Sequence, residues 1–311
     1  MATAIGVRSP FFASYAFGGA AYGTLALTIS GTLRYTITKD VVPGTSTVTF
    51  DISQLVRDYI QPRYDGTIVA TDCGAVAISY VLNVFNAAGS QIATSGTVSY
   101  DAFDGYANYY GTTNYTLPTG VLVSISAIYA PLGVGGFVFE NDGSSVTVQT
   151  FSGSDTVVPS TSVKINRFPC GRYDNYALTF INRYGVQQQM WFTAKEVTSM
   201  TTNGSKYKSK YNASNGANDG FRHQIVDYNK NGLKQYTLNT DYIAANISDI
   251  NFQLEELMLS EYVWLDDPIL GFPLPVNVVT TNTSFKTGLN DRVVSYQVVV
   301  QTAYDLISTA R

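Results

Sequence analysis

Histidine is almost missing from this 311-residue chain: His223, beside Arg222 in a polar stretch, is the only one. Cysteine is nearly as scarce, with Cys73 and Cys170 far apart. These absences remove whole classes of chemistry. Structural zinc needs four nitrogen or sulfur ligands at close spacing, which one histidine and two isolated cysteines do not supply. Nucleophilic catalysis needs a base beside its nucleophile, yet His223 lies far in sequence from both cysteines and no G-x-S-x-G elbow occurs. His223 therefore reads as a surface or internally satisfied histidine, and the cysteines as buried thiols outside any disulfide framework. No G-x-x-x-x-G-K phosphate loop is present. Asp101-Ala102-Phe103-Asp104-Gly105 sets two acids near a glycine but lacks the other ligands of a calcium loop, so it reads as a turn. The carboxylate pairs Asp101/Asp104 and Asp266/Asp267 read as turn and surface groups rather than the acid and nucleophile of a glycosidase. The expectation is a chain that is not an enzyme, with no catalytic, cofactor-binding or metal residues.

Charge is also thin. Charged residues make up 14% of the chain, the net charge is -4 and the isoelectric point is about 5.0, so nothing favours a nucleic-acid partner. Lysine and arginine are absent between Arg63 and Lys164, whereas Asp65, Asp72, Asp101, Asp104, Glu140, Asp142 and Asp155 all fall there. The two halves thus differ in chemistry, which with a prior of about 150 residues per domain sets a boundary near Val158-Pro159-Ser160. Residues 1–159 and 160–311 are the two expected domains. The uncharged run from Gly120 to Phe139 has the length of a bilayer span, but Val121, Val123 and Ile125 alternate with their neighbours and Pro131, Gly133, Gly135 and Gly136 would interrupt a helix. Two strands and no membrane span are expected. No basic, apolar leader is legible at the start, so the chain reads as made in the cytoplasm without a signal peptide.

What is abundant points to strands: Tyr 23, Phe 16 and Gly 26, with Thr, Ser and Val throughout. In the first half Leu25 to Ser30, Leu33 to Thr38 and Thr47 to Asp51 read as a three-stranded meander, followed by a short helix from Ser53 to Ile60 with Ser53 as its cap. Further strands fall at Val76 to Phe85, Ile92 to Tyr100, Val121 to Tyr129, Phe137 to Glu140 and Ser145 to Phe151. That spacing suits a β-sandwich of jelly-roll or immunoglobulin-like type. The second half reads as an α+β domain. Leu178 to Phe192 is a hairpin, Thr201 to Gly220 a long mobile loop, and Gln224 to Tyr228 with Lys234 to Leu238 a second hairpin around Asn229-Lys230-Asn231-Gly232. Ile247, Ile250, Leu254, Leu257 and Met258 share one helical face, with Asn246 or Ser248 as cap and Asp249 in the first turn. Strands at Tyr262 to Leu265, Val276 to Thr280 and Val293 to Gln301 complete an antiparallel sheet covered by that one helix.

Two clusters suggest surfaces. Tyr106, Tyr109, Tyr110 and Tyr115, with Tyr100 and Phe103 nearby, offer large amphipathic contacts for neighbouring copies of the chain or for a host surface glycan. Gln187, Gln188 and Gln189 offer amides for pairing across subunits. Lys206, Lys208 and Lys210 alternate in the expected loop, as a solvated stretch or one facing an anionic surface.

The chain resembles a family of virion structural proteins found in tailed bacteriophages of marine bacteria. Leu178 to Phe192 is similar to that family's "TFVNKYG…WF" hairpin, and Asn229-Lys230-Asn231-Gly232 with Thr237-Leu238-Asn239-Thr240 to "KNG…TLN". Leu257 to Trp264 and Lys286 to Asp291 resemble "LLLSE.VW" and "KTSLND". Earlier in the chain, Ser9-Pro10-Phe11-Phe12, Thr36 to Lys39, Phe50 to Ile60 and Phe103-Asp104-Gly105-Tyr106 resemble "SPYY", "YTLSK", "FEISELVRDYL" and "FDGY". The resemblance implies a virion component that assembles with copies of itself and with other virion proteins, tail-associated as a fibre, adaptor or baseplate-like part. A capsid decoration or head fibre protein, a glycan-binding receptor protein and a depolymerase are the alternatives.

Overall fold

A computed structural model describes residues 3–42, 44–67, 73–107, 114–117, 121–122, 127–131, 136–141, 146–151, 164–168, 172–208, 223–240, 247–285 and 295–307. The protein is mainly β. The first half runs β1 (Thr3–Gly6), β2 (Phe12–Ala16), β3 (Tyr22–Ile29), β4 (Thr32–Asp40), β5 (Thr47–Asp51), α1 (Ser53–Arg57), β6 (Val76–Phe85) and β7 (Gln91–Phe103). Five of the strands form a sheet in the order β1-β7-β6-β3-β4, antiparallel except for the parallel β1–β7 pair. The expected meander is half right: β3 pairs with β4, but β5 leaves them to pair with β2 in a separate ribbon. The reason is side-chain alternation. Every second residue of β3 is buried, and Leu25, Leu27 and Ile29 turn toward Val48, Phe50, Ile52 and Val56 of the ribbon and α1. A β5 strand in the same sheet would leave that face uncovered. Gly23 permits the contact, since a Cβ there would come within 3.0 Å of the Val48 side chain. Ser53 does not cap α1. It is the first helical residue, and Asp51 Oδ1 instead accepts from the Ser53 backbone N–H at 3.0 Å and its hydroxyl at 2.6 Å.

Between the halves lie β8 (Val121–Leu122), β9 (Ala127–Pro131), β10 (Gly136–Asn141), β11 (Val146–Phe151) and β12 (Lys164–Phe168). β8, β10 and β11 form a small antiparallel sheet, and β12 pairs in parallel with β9. Among the described residues no helix is long and apolar enough to cross a membrane.

The second half comprises β13 (Tyr176–Ile181), β14 (Gln187–Phe192), β15 (Val197–Lys208), β16 (Ile225–Asn239), α2 (Ile247–Leu259), β17 (Val263–Asp266), β18 (Pro273–Val278) and β19 (Gln297–Thr302). Seven strands form one antiparallel sheet in the order β14-β13-β17-β18-β19-β16-β15. Ile250, Leu254 and Leu257 of α2 bury against Leu178, Phe180, Leu238, Leu265, Val298 and Val300, as the helical spacing requires. Two expectations are corrected here. Thr201 to Lys208, read as mobile loop, belongs to β15, because a polar sequence still forms a strand when its main chain pairs along one side. Residues 209–222 of that expected loop lie outside the described residues. Asn229-Lys230-Asn231-Gly232 makes no hairpin turn either. β16 passes straight through, and the positive φ of Asn229 (53°) serves a β-bulge opposite Gly204, where the β15–β16 register shifts. The expected caps Asn246, Ser248 and Asp249 lie outside the described side chains.

Candidate functional site

The segment after β7 and the turn between β13 and β14 meet main chain to main chain. A Cβ on Gly105 would lie 2.9 Å from the Arg183 carbonyl oxygen, and one on Gly185 (φ +77°) would lie 2.7 Å from Phe103 Cβ and 2.9 Å from Asp104 N. The Tyr106 N–H donates to the Arg183 carbonyl at 2.7 Å. Two glycines thus let the halves interleave where side chains would hold them apart. Asn182 shapes the turn: its Oδ1 accepts from the N–H groups of Tyr184 (3.0 Å) and Val186 (3.3 Å). Val186 then enters a small apolar cluster with Ala4, Cys73, Phe103 and Leu117 of the first half.

Charged groups from both halves surround this contact. Arg183 Nε lies 3.4 Å from Glu256 Oε1 on α2, and its guanidinium stacks over the rings of Phe252 (4.4 Å) and Tyr184 (4.6 Å). Glu256 is only 2% exposed. Burial pushes its carboxyl up to about 7; Arg183 opposes this and the neighbouring Glu255 adds to it. Burial likewise lifts the phenols of Tyr106 and Tyr115 to about 12. Arg57 Nη2 sits 2.6 Å from Glu261 and its Nε 3.4 Å from Asp104. Arg8 joins them, with Nη2 donating to the Leu259 carbonyl at 3.0 Å and its guanidinium 5.1 Å over the Tyr106 ring. Asp104, read as a turn carboxylate, is buried, and burial raises its pKa against the pull of Arg8 and Arg57.

A second polar knot lies nearby. Asp266 Oδ2 accepts from the Tyr64 hydroxyl (3.1 Å), the Thr179 hydroxyl (3.1 Å) and Gln189 Nε2 (3.3 Å). Burial raises the Asp266 carboxyl and the Tyr64 phenol alike. Gln187 Nε2 donates to the Arg63 carbonyl at 2.6 Å, and Asn182 Nδ2 donates to Gln188 Oε1 at 3.1 Å. Tyr64, Ile181 and Trp264 pack as one cluster beneath.

Of the residues expected to face subunits or a receptor, Gln187 and Gln188 are buried inside the chain and Gln189 is half-buried, all three bonded within it. The glutamines sit on a strand that the first half covers, which their polarity does not reveal. Tyr106 and Tyr115 are half-buried at the same joint, while Tyr109 and Tyr110 lie outside the described residues. His223 is exposed. Arg8, Arg57, Arg183, Glu256 and Glu261 escaped the reading of the sequence. One signal was available for Glu256: it stands four residues after Phe252 and three after the buried Gln253, on the flank of the apolar helical stripe. Among the described residues no group of acids, histidine and cysteine could hold a metal ion. No family model, no curated protein and no solved structure matches the chain.

Proposed function

We propose that the chain is a structural component of a tailed bacteriophage virion, tail-associated as a fibre, adaptor or baseplate-like part, and that it acts by assembling with copies of itself rather than by catalysis. One observation supports this reading above the others. The stretches that carry the family resemblance supply both sides of the joint: Phe50 to Ile60 brings Arg57, Phe103 to Tyr106 brings Asp104 and Gly105, Leu178 to Phe192 brings Arg183, Gly185 and the glutamines, and Leu257 to Trp264 brings Glu261 and Trp264. Their shared work is to lock two β-rich halves into one register. Arg57 and Arg8 of the first half both reach Glu261 of the second, so a rotated or slipped arrangement would break these pairs along with the close glycine contacts. A rigid two-part block is what repeated assembly into a particle demands.

Gold-conjugated antibody on intact purified particles tests the proposal by electron microscopy. Label on the tail or its fibres is the expected result. Label over the head moves the protein to the capsid, as a decoration or head fibre, and absence from particles overturns the virion reading.

A further inference from the structure

Among the described residues β15 is an edge strand with nothing beside it. Of the described strands it pairs with β16 alone, and all twelve of its residues, Val197 to Lys208, are exposed. Residues 302–307 after β19 still bond β16 as far as Asn231, so among the described residues the outer arm is a two-stranded ribbon only where Ser205 to Lys208 pairs with Ile225 to Tyr228. Such ribbons are marginal alone in water, and a long unpaired edge is a template for another strand. Proteins that protect an edge bulge it or place charges along it. Here the extra residue of the bulge is on β16, which leaves β15 regular, and Val197 to Ser205 carries no charge.

We infer that the free edge of β15 pairs antiparallel with β15 of a second copy of this chain, about a two-fold axis at Thr201. The charges decide the partner. With Thr201 opposite itself, the uncharged stretch Val197 to Ser205 faces its own copy, and Glu196 of each chain comes opposite Lys206 of the other. The one acid flanking the strand thus meets a lysine twice, and no like charges oppose. Glu196 is half-buried, its carboxylate accepting from the Tyr176 hydroxyl at 3.5 Å and from the Thr198 hydroxyl, and would have to turn toward the lysine; Lys206 is available for this. Its ammonium is 3.8 Å from Asp227 with the side chain 71% exposed, and Asp227 also has Lys230 at 3.5 Å. The inference rests on the assembly reading above and gives it a surface, joining two sheets edge to edge by main-chain hydrogen bonds.

The test uses the purified full chain. Sedimentation velocity should show a dimer. The Thr201→Cys variant should form an intermolecular disulfide under mild oxidation, since residues directly opposite in antiparallel strands lie within disulfide reach. The unsubstituted chain, with Cys73 and Cys170, should not, and neither should Ile269→Cys, at an exposed turn. Glu196→Lys should weaken the dimer about tenfold, and adding Lys206→Glu should restore it to within about threefold. A monomer at every concentration, a dimer indifferent to both charge changes, or a dimer in which the Thr201→Cys variant fails to crosslink each overturns the inference. Failure here is separable from failure of the virion reading. Gold-labelled particles with a monomeric chain sink the edge pairing alone, whereas a crosslinking dimer absent from particles sinks the virion reading alone.

Discussion

The seven-stranded sheet ends in two edges of opposite character. β14 is mostly buried, runs beside β9, and turns its glutamines to partners within the chain: Arg63, Asn182 and Asp266. β15 is twice as long, exposed along its whole length and, among the described residues, pairs on one side only. Yet their sequences are alike in kind, Gln187-Gln188-Gln189 in one and Thr201-Thr202-Asn203 in the other, both amide- or hydroxyl-rich. The polarity of an edge therefore does not decide whether it is covered. What decides is whether another part of the chain arrives there with matching donors, acceptors and room. At β14 that part is the first half, brought close by Gly105 and Gly185. At β15 no described residue arrives, and the main chain stays open to another molecule.

The largest expected effect breaks the comparison at its glycines. Gly185→Ala should cost about 3 kcal/mol or more, because the left-handed φ of +77° already strains an alanine and its Cβ would strike Phe103 Cβ at 2.7 Å. Gly204→Ala, in β15, has no positive φ and meets Lys230 Cα at 3.3 Å, so its cost should stay below about 1 kcal/mol. Urea midpoints of the two variants measure the difference directly. Equal losses would mean that the joint contributes no more to stability than the free arm does.

Next in size is a dependence on pH that centres on the joint. A carboxyl whose folded pKa lies above its unfolded value binds its proton more tightly when folded, so stability is greatest where it is protonated and falls as pH rises. For Glu256 the fall should run from about 4.5 to about 7. At about 1.4 kcal/mol per unit it reaches roughly 3 kcal/mol at most. Asp101, Asp104 and Asp266, raised as well by burial, add loss of the same sign at the lower end. Urea unfolding at pH 5 and pH 8 should show the wild-type chain weaker at pH 8, and Glu256→Gln should flatten the change. A Glu256→Gln chain with an undiminished slope would place the titration elsewhere.

Smaller again is the contrast between the edges themselves. Gln187→Ala removes a buried amide that bonds the Arg63 carbonyl and should cost about 2 kcal/mol. Thr198→Ala, on exposed β15, should fall within about 0.5 kcal/mol of wild type. Thermal or urea unfolding of both separates a covered edge from an open one.

These contrasts also mark how far the sequence could be read. The strand of Val76 to Phe85 and the apolar face of Ile250, Leu254 and Leu257 were legible, because burial on one face writes a period into the residues themselves. The β2–β5 ribbon was not, since a strand's neighbour is chosen by which face needs covering rather than by proximity in the chain. Asn229-Lys230-Asn231-Gly232 shows the same limit: the residues announce a positive φ, and a bulge satisfies that as well as a turn. The joint was least legible of all. Arg57, Asp104, Arg183, Glu256 and Glu261 are spread over some two hundred positions, and nothing local records that a chain segment distant in sequence will neutralise a buried charge.

The smallest expected effect lies in the arm and sharpens the comparison from the other side. Asp227 has two lysines near it, Lys206 at 3.8 Å and Lys230 at 3.5 Å, with all three side chains at least 40% exposed. Exposed pairs of this kind contribute about 0–1 kcal/mol, because water screens the attraction and ordering the lysines costs entropy. Asp227→Asn should therefore shift the unfolding midpoint by less than about 0.5 kcal/mol at low salt, and by nothing measurable near 1 M salt, where screening reaches about 3 Å. A loss of several kcal/mol, or one indifferent to salt, would mean that the arm is held by its charges. If the loss is as small as expected, the arm stands on main-chain pairing with β16, and charges along β15 can be reversed without unfolding it. Glu196, by contrast, accepts from the buried Tyr176, so a change in self-association after Glu196→Lys reports on the edge only where that variant's own unfolding midpoint stays near wild type.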